Sequence, residues 1–232
     1  MEPTMTKHLD RELDSLRSDL ISQFGLVEQM ILTAVRALAE RRTDLADEVI
    51  GQDVIIDAND IKFEEECLKL LALHQPVATN MRWLFTVVKV NNELERMADL
   101  ACNIAERAKS IEQYPLFPVP EELDEMAAGA TRMVKSALDS FIEGDVEKSR
   151  AVIAADDNVD YKNRLVIEIL HELMRDNPDY IAPAVHCFSA SRHLERIADL
   201  AVNISEEVIY LVLGDIVRHQ HGESEILRTN PA

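Results

Sequence analysis

Apolar residues recur along the chain at three- and four-residue intervals, beginning with Leu9, Leu13, Leu16 and Leu20 and continuing through Val27, Met30, Ile31, Ala34 and Leu38. That spacing keeps one face of a helix apolar and predicts a helix from Lys7 to about Glu40. Thr43, followed by Asp44, reads as the N-cap of a second helix running to about His74, where Gln75-Pro76 breaks it. A third helix is predicted from Val77 to Gln113. The run YPLFPVP, Tyr114 to Pro120, carries three prolines and cannot continue it.

The same scheme then returns. Helices are predicted from Glu121 to Ile142, Val146 to Arg175 and Tyr180 to Val217, separated by the turn Glu143-Gly144-Asp145 and the break Asp176-Asn177-Pro178. Six long helices in two sets of three give an all-α fold of two tandem homologous three-helix bundles. Residues 1–114 form the first unit, 115–120 the Pro-rich linker, 121–218 the second unit and 219–232 a polar tail.

The duplication is sharpest in one phrase. LERMADLACNIAE, Leu94 to Glu106, recurs one hundred residues later as LERIADLAVNISE, Leu194 to Glu206. On a helical wheel Leu94, Met97, Ala101, Ile104, Ala108 and Ile111 form a packing seam, and Leu194, Ile197, Ala201, Ile204, Val208 and Leu211 repeat it. Packing accounts for that half of the phrase. It does not account for Glu95 and Asp99, or Glu195 and Asp199, whose face points away from the seam. Carboxylates at i and i+4 repel by a few tenths of a kcal/mol, so their recurrence calls for a compensating cation.

The preceding helix of each unit supplies a second pair, Asp53 with Asp57 and Asp156 with Asp160. If the helices of a unit lie antiparallel, four carboxylates converge on one outer groove per unit. Oxygen donors of this kind suit magnesium, calcium, manganese or iron and do not suit a structural zinc. The bland alternative is a solvated acidic face, with Arg96 and Arg196 in ordinary surface ion pairs.

Composition narrows the remaining choices. A formal charge of −19, from 43 acids against 24 bases, repels phosphate backbones and argues against direct nucleic-acid binding. Cys67, Cys102 and Cys187 show no CxxC spacing, which argues against a disulfide framework and against a zinc site and marks Cys67 and Cys102 as small core residues. No apolar leader and no run near ~18 apolar residues is present, so a soluble, cytoplasmic protein is expected, meeting membranes only through partners. A di-iron oxidase bundle needs Glu-x-x-His on two helices. Only Glu168 and His171 make one, and His171 reads as an ordinary surface histidine. His186 and His193 have no matching pair in the first unit and read as structural. There is no GxxxxGK[ST] loop, so the protein is not expected to bind or hydrolyse nucleotide by itself, and the sequence offers no Ser/His/Asp or Cys/His grouping.

The doubled L-E-R-x-x-D-x-A-x-N-I-A/S-E phrase, each copy preceded by a D-x-x-x-D helix, resembles the PhoU family of phosphate-uptake regulators. FGLVEQMILTAVRAL, Phe24 to Leu38, and LLALHQPVATNMRWL, Leu70 to Leu84, extend the likeness over nearly the whole chain. The resemblance implies negative regulation of phosphate acquisition, through contact with the ATPase subunit of the phosphate ABC transporter and with the Pho-type sensor histidine kinase. It also implies iron or other metal on surface E/D-x-x-x-D motifs. Carried over, the metal-ligand candidates are Asp53, Asp57, Glu95 and Asp99, then Asp156, Asp160, Glu195 and Asp199. A homodimer is in keeping with such long amphipathic helices. The rival reading is a metal-free acidic adaptor.

Overall fold

The computed structural model describes residues 3–77 and 79–214. Among them lie six α-helices: α1 Pro3–Glu40, α2 Thr43–His74, α3 Thr79–Ile111, α4 Glu121–Glu143, α5 Val146–Asp176 and α6 Ile181–Leu213. The sequence periodicity located every one of them. Its errors fall at the ends, where local hydrogen bonding decides.

Thr43 is not the cap of α2 but its first residue. Arg42 occupies the cap position with extended backbone and no side-chain cap bond. Its guanidinium instead holds the first-turn carboxylate of Asp44, Nε to Oδ1 at 2.8 Å. The third helix starts at Thr79, two residues later than Val77. Gln75 closes α2 in the left-handed conformation, φ 43°, with its N–H bonded to the Leu71 carbonyl, and Pro76 has no donor with which to resume a helix. Before α6 a single 3-10 turn, Pro178–Tyr180, is fixed by the Asn177 side chain accepting from the Asp179 N–H. Helix α6 ends at Leu213, where Gly214 takes φ 82°. The expected end at Val217 and the polar tail lie outside the described residues.

Each unit is a three-helix bundle, yet the units are not separate bodies. Helices α3 and α6 are central: each packs on both other helices of its own unit, and they pack on one another, while α1 also meets α4. One hydrophobic cluster includes residues from all six helices. The predicted seam residues Leu94, Met97, Ala101, Ile104, Leu194, Ile197, Ala201 and Ile204 are fully buried within it, each large one contributing about 1.5–3 kcal/mol by burial. Alanines at 98, 101, 105 and 108 let neighbouring helices approach α3 closely.

The Pro-rich segment is fastened to the core. Phe117 is buried and meets Tyr180 edge-on, ring centroids 5.5 Å apart. The Arg41 guanidinium donates to the carbonyls of Tyr114 and Phe117, pinning the segment to the α1–α2 turn. Of the cysteines, Cys67 and Cys187 are buried and Cys102 is half-buried, all of them free.

Candidate functional site: paired carboxylates on the central helices

The antiparallel course of α3 and α6 is fixed by polar contacts along their length. Arg82 Nη1 donates to the Leu211 carbonyl at 3.4 Å, Lys89 Nζ lies 3.3 Å from Glu207, and Asn203 Nδ2 donates to Glu93 at 3.3 Å. The two copies of the repeated phrase therefore lie side by side in opposite directions. Their acidic faces come to the same side of the molecule.

Asp99 of the first unit and Asp156 and Asp199 of the second line one open groove of about 1310 Å³, with Arg96, Arg150 and Arg196 around it. Two separate outer grooves, one per unit, were expected from the sequence. The shared one exists because α3 and α6 pack together, a relationship no local pattern reveals.

Within the first unit, α2 and α3 bring the four candidates into mutual influence. Burial raises the Glu95 carboxyl above its ordinary value, and the charges of Asp99, Asp60, Asp57 and Asp53 raise it further. Asp99 is raised likewise, by burial first and then by Asp53 and Asp57. Asp60 is a participant the sequence reading missed. It stands seven residues after Asp53 and three after Asp57, on the same α2 face, and accepts from Asn91 Nδ2 at 2.6 Å. Burial and the charges of Glu64 and Asp57 raise it. The i, i+4, i+7 spacing of 53, 57 and 60 was the available signal.

The second unit repeats the arrangement. Asp156 is pushed up to about 6 by burial, then by Asp199, Asp160, Asp157 and Glu195. Asp199 is raised by burial and Asp160. Glu195 is raised by burial foremost, although Arg192, whose Nη1 donates to Glu195 Oε1 at 2.7 Å, opposes the shift. Asp156 Oδ1 and Glu195 Oε2 are buried without a hydrogen-bond partner. Buried anionic oxygens normally have one, and a hard cation would supply it. The donor chemistry thus fits magnesium, manganese or iron. Among the described residues, however, no group of three or more His, Cys, Asp or Glu side chains is arranged to hold a metal ion as it stands.

Two copies of a long three-helix unit, joined along central helices that present carboxylates and arginines to one groove, define a duplicated all-α scaffold. The profile of the PhoU domain matches it twice, over residues 20–108 and 123–208. The chain belongs to the PhoU family. A phosphate-specific transport system accessory protein PhoU homolog from Aquifex aeolicus is 36% identical over 220 residues, covering 92% of this chain and 96% of the relative. The crystal structure of PhoU from Pseudomonas aeruginosa superimposes with a TM-score of 0.85 at 33% identity, covering 89% of this chain and 99% of that one. That of the phosphate transport system regulatory protein PhoU from Streptococcus pneumoniae gives 0.84 at 26% identity, covering 90% and 99%. Among the described residues no helix is long and apolar enough to cross a membrane.

Proposed function

We infer that this chain is a non-catalytic regulator that restrains phosphate uptake when phosphate is plentiful. The observation that carries the reading is the doubled domain match over residues 20–108 and 123–208, shared with relatives whose names make them accessory proteins of the phosphate-specific transport system. In this reading the chain works in the cytoplasm as a homodimer. It contacts the ATPase subunit of the phosphate ABC transporter and relays transporter state to a Pho-type sensor histidine kinase, thereby holding down both uptake and phosphate-responsive transcription.

Metal has a defined place in this reading. Asp53, Asp57, Glu95 and Asp99 would hold it in the first unit, and Asp156, Asp160, Glu195 and Asp199 in the second. A bound cation supplies positive charge that offsets carboxylate repulsion and braces α2 against α3 and α5 against α6. The chain's own residues present the oxygens and set the spacing of the helices. A metal-free adaptor is the second reading, favoured by the Arg192–Glu195 ion pair that already occupies one ligand oxygen.

Deletion of the gene in its native host tests the regulatory reading. Phosphate uptake and phosphate-responsive transcription should rise in phosphate-replete medium and fall again on complementation. Unchanged uptake and transcription in the deletion strain would overturn it.

A further inference from the structure

We propose that the outermost stripe of α2, formed by Val54, Ile61 and Leu68, is a docking surface for a basic amphipathic helix of a partner protein. The inference goes beyond the regulatory reading and holds whichever protein the partner is.

The three side chains are 72%, 60% and 65% exposed. Spaced seven residues apart, they fall in one line along the helix, the arrangement of a coiled-coil seam with no partner helix. Scattered exposed hydrophobics are ordinary, whereas an aligned set marks an interaction surface.

The internal duplication shows that the bundle itself does not require them. Aligning Asp53 with Asp156 matches the buried positions of the two helices: Val49 with Val152, Ile56 with Val159, Phe63 with Val166. In the same register Val54, Ile61 and Leu68 stand where α5 has Asp157, Arg164 and His171, all exposed. One scaffold therefore folds with either a polar or an apolar outer stripe. The apolar version serves something outside the chain.

Charge selects the occupant. Asp57, Glu64 and Glu65, all exposed, flank the stripe. The only bases of α2 before His74, Lys62 and Lys69, are already engaged by Asp19 and Glu66 at 3.0 Å. An acidic field around an apolar line repels anionic lipid and disfavours a second copy carrying the same field. It complements a helix with apolar residues at heptad spacing and Lys or Arg beside them.

The test uses a labelled synthetic helical peptide with Leu at heptad positions and Lys on its flanks, together with its Glu-for-Lys counterpart. Binding by fluorescence anisotropy is compared among the full chain, the Ile61→Ser/Leu68→Ser variant and a transplant variant, Val54→Asp/Ile61→Arg/Leu68→His, that copies the second unit. An Arg164→Ser/His171→Ser variant serves as control, and thermal melts check folding of each. The basic peptide should bind the unaltered chain and the control equally, and both stripe variants at least tenfold more weakly. The acidic peptide should not bind. Equal binding to the stripe variants means attraction by net charge alone and overturns the proposal. So does a shift from dimer to monomer in those variants, which would make a second copy the occupant, and so does failure of the basic peptide to bind the unaltered chain.

Discussion

Lys89 of α3 and Glu207 of α6 form an ion pair across the junction of the two units, with Nζ 3.3 Å from both carboxylate oxygens. The glutamate side chain is almost wholly enclosed, and Lys89 also lies 4.4 Å over the ring of Phe85. The pair thus ties the duplicated halves together through buried charge. Removing the lysine takes a close counter-charge from the enclosed Glu207 carboxylate, so Lys89→Met should destabilise the chain by about 3 kcal/mol. The double variant Lys89→Met/Glu207→Leu should recover most of that loss, because the enclosed carboxylate is removed together with its counter-charge. Urea unfolding of the two singles and the double, read as a double-mutant cycle, measures the coupling. Additive losses would mean that the pair does not couple the units.

Arg41 acts at the other end of the first unit, and its two roles can be separated. Its backbone lies in the left-handed region at φ 54°, and its guanidinium holds the carbonyls of Tyr114 and Phe117. Arg41→Ala keeps the backbone cost and loses the clamp. It should destabilise by about 1–3 kcal/mol, the worth of charge-assisted hydrogen bonds left unmade. Arg41→Gly loses the same clamp but relieves the backbone, and should be milder by about 1 kcal/mol. Limited proteolysis between residues 114 and 120 should quicken in both variants. Unchanged cleavage in both would show that the segment is held by Phe117 packing alone.

These two contacts also mark what the sequence could and could not reveal. Helices α1 to α6, the seam from Leu94 to Ile111 and its copy from Leu194 to Leu211 follow from periodicity, because burial of one helix face acts over a few turns. The eight candidate carboxylates were legible because a repeated, mildly unfavourable pattern stands out against packing. The pairing of α3 with α6 was not legible. Lys89 and Glu207 are 118 residues apart, and nothing local in either stretch names the other. The shared groove, lined by Asp99 of one unit and Arg150 and Asp199 of the other, depends on that pairing and was hidden with it. Helix ends were misread for a different reason. Arg42 took the place expected for Thr43 through its bonds to Asp44, a choice among local hydrogen bonds that differ little in energy.

The raised carboxyls make stability depend on pH in a definite direction. Asp156 moves from an ordinary 3.8 to about 6, so the folded chain keeps a proton that the unfolded chain releases between these values. With metal removed by chelator, its contribution to stability is greatest below about pH 4, falls as pH rises towards 6, and is flat above. Glu95, Asp99, Glu195 and Asp199 shift in the same direction. Asp156→Asn should therefore raise the urea midpoint at pH 7 and shrink its decline between pH 4.5 and 6.5. A midpoint at pH 7 lower than that of the unaltered chain would refute this assignment.

Cys102 offers a chemical reading of whether a cation occupies the first unit. Its thiol is pushed up to about 12, chiefly by burial and then by Asp53, with Asp99 and Glu106 adding to the effect. The thiolate is the reactive species, so disulfide reagents should modify Cys102 slowly at pH 8. A redox-inert cation such as magnesium or manganese, held by Asp53 and Asp99, would cancel the charges that disfavour the thiolate, and each unit of lowered pKa raises its population about tenfold. Saturating manganese should then speed modification of Cys102 several-fold. Asp53→Asn/Asp99→Asn should speed it without metal and abolish the response to metal. Cys187, raised to about 12 by burial with no carboxylate contributing, should not respond and serves as the internal control. If manganese leaves the Cys102 rate unchanged while the Asp53→Asn/Asp99→Asn variant quickens it, the carboxylates set the thiol's reactivity but no cation sits between them, and the metal-free adaptor reading prevails for this unit.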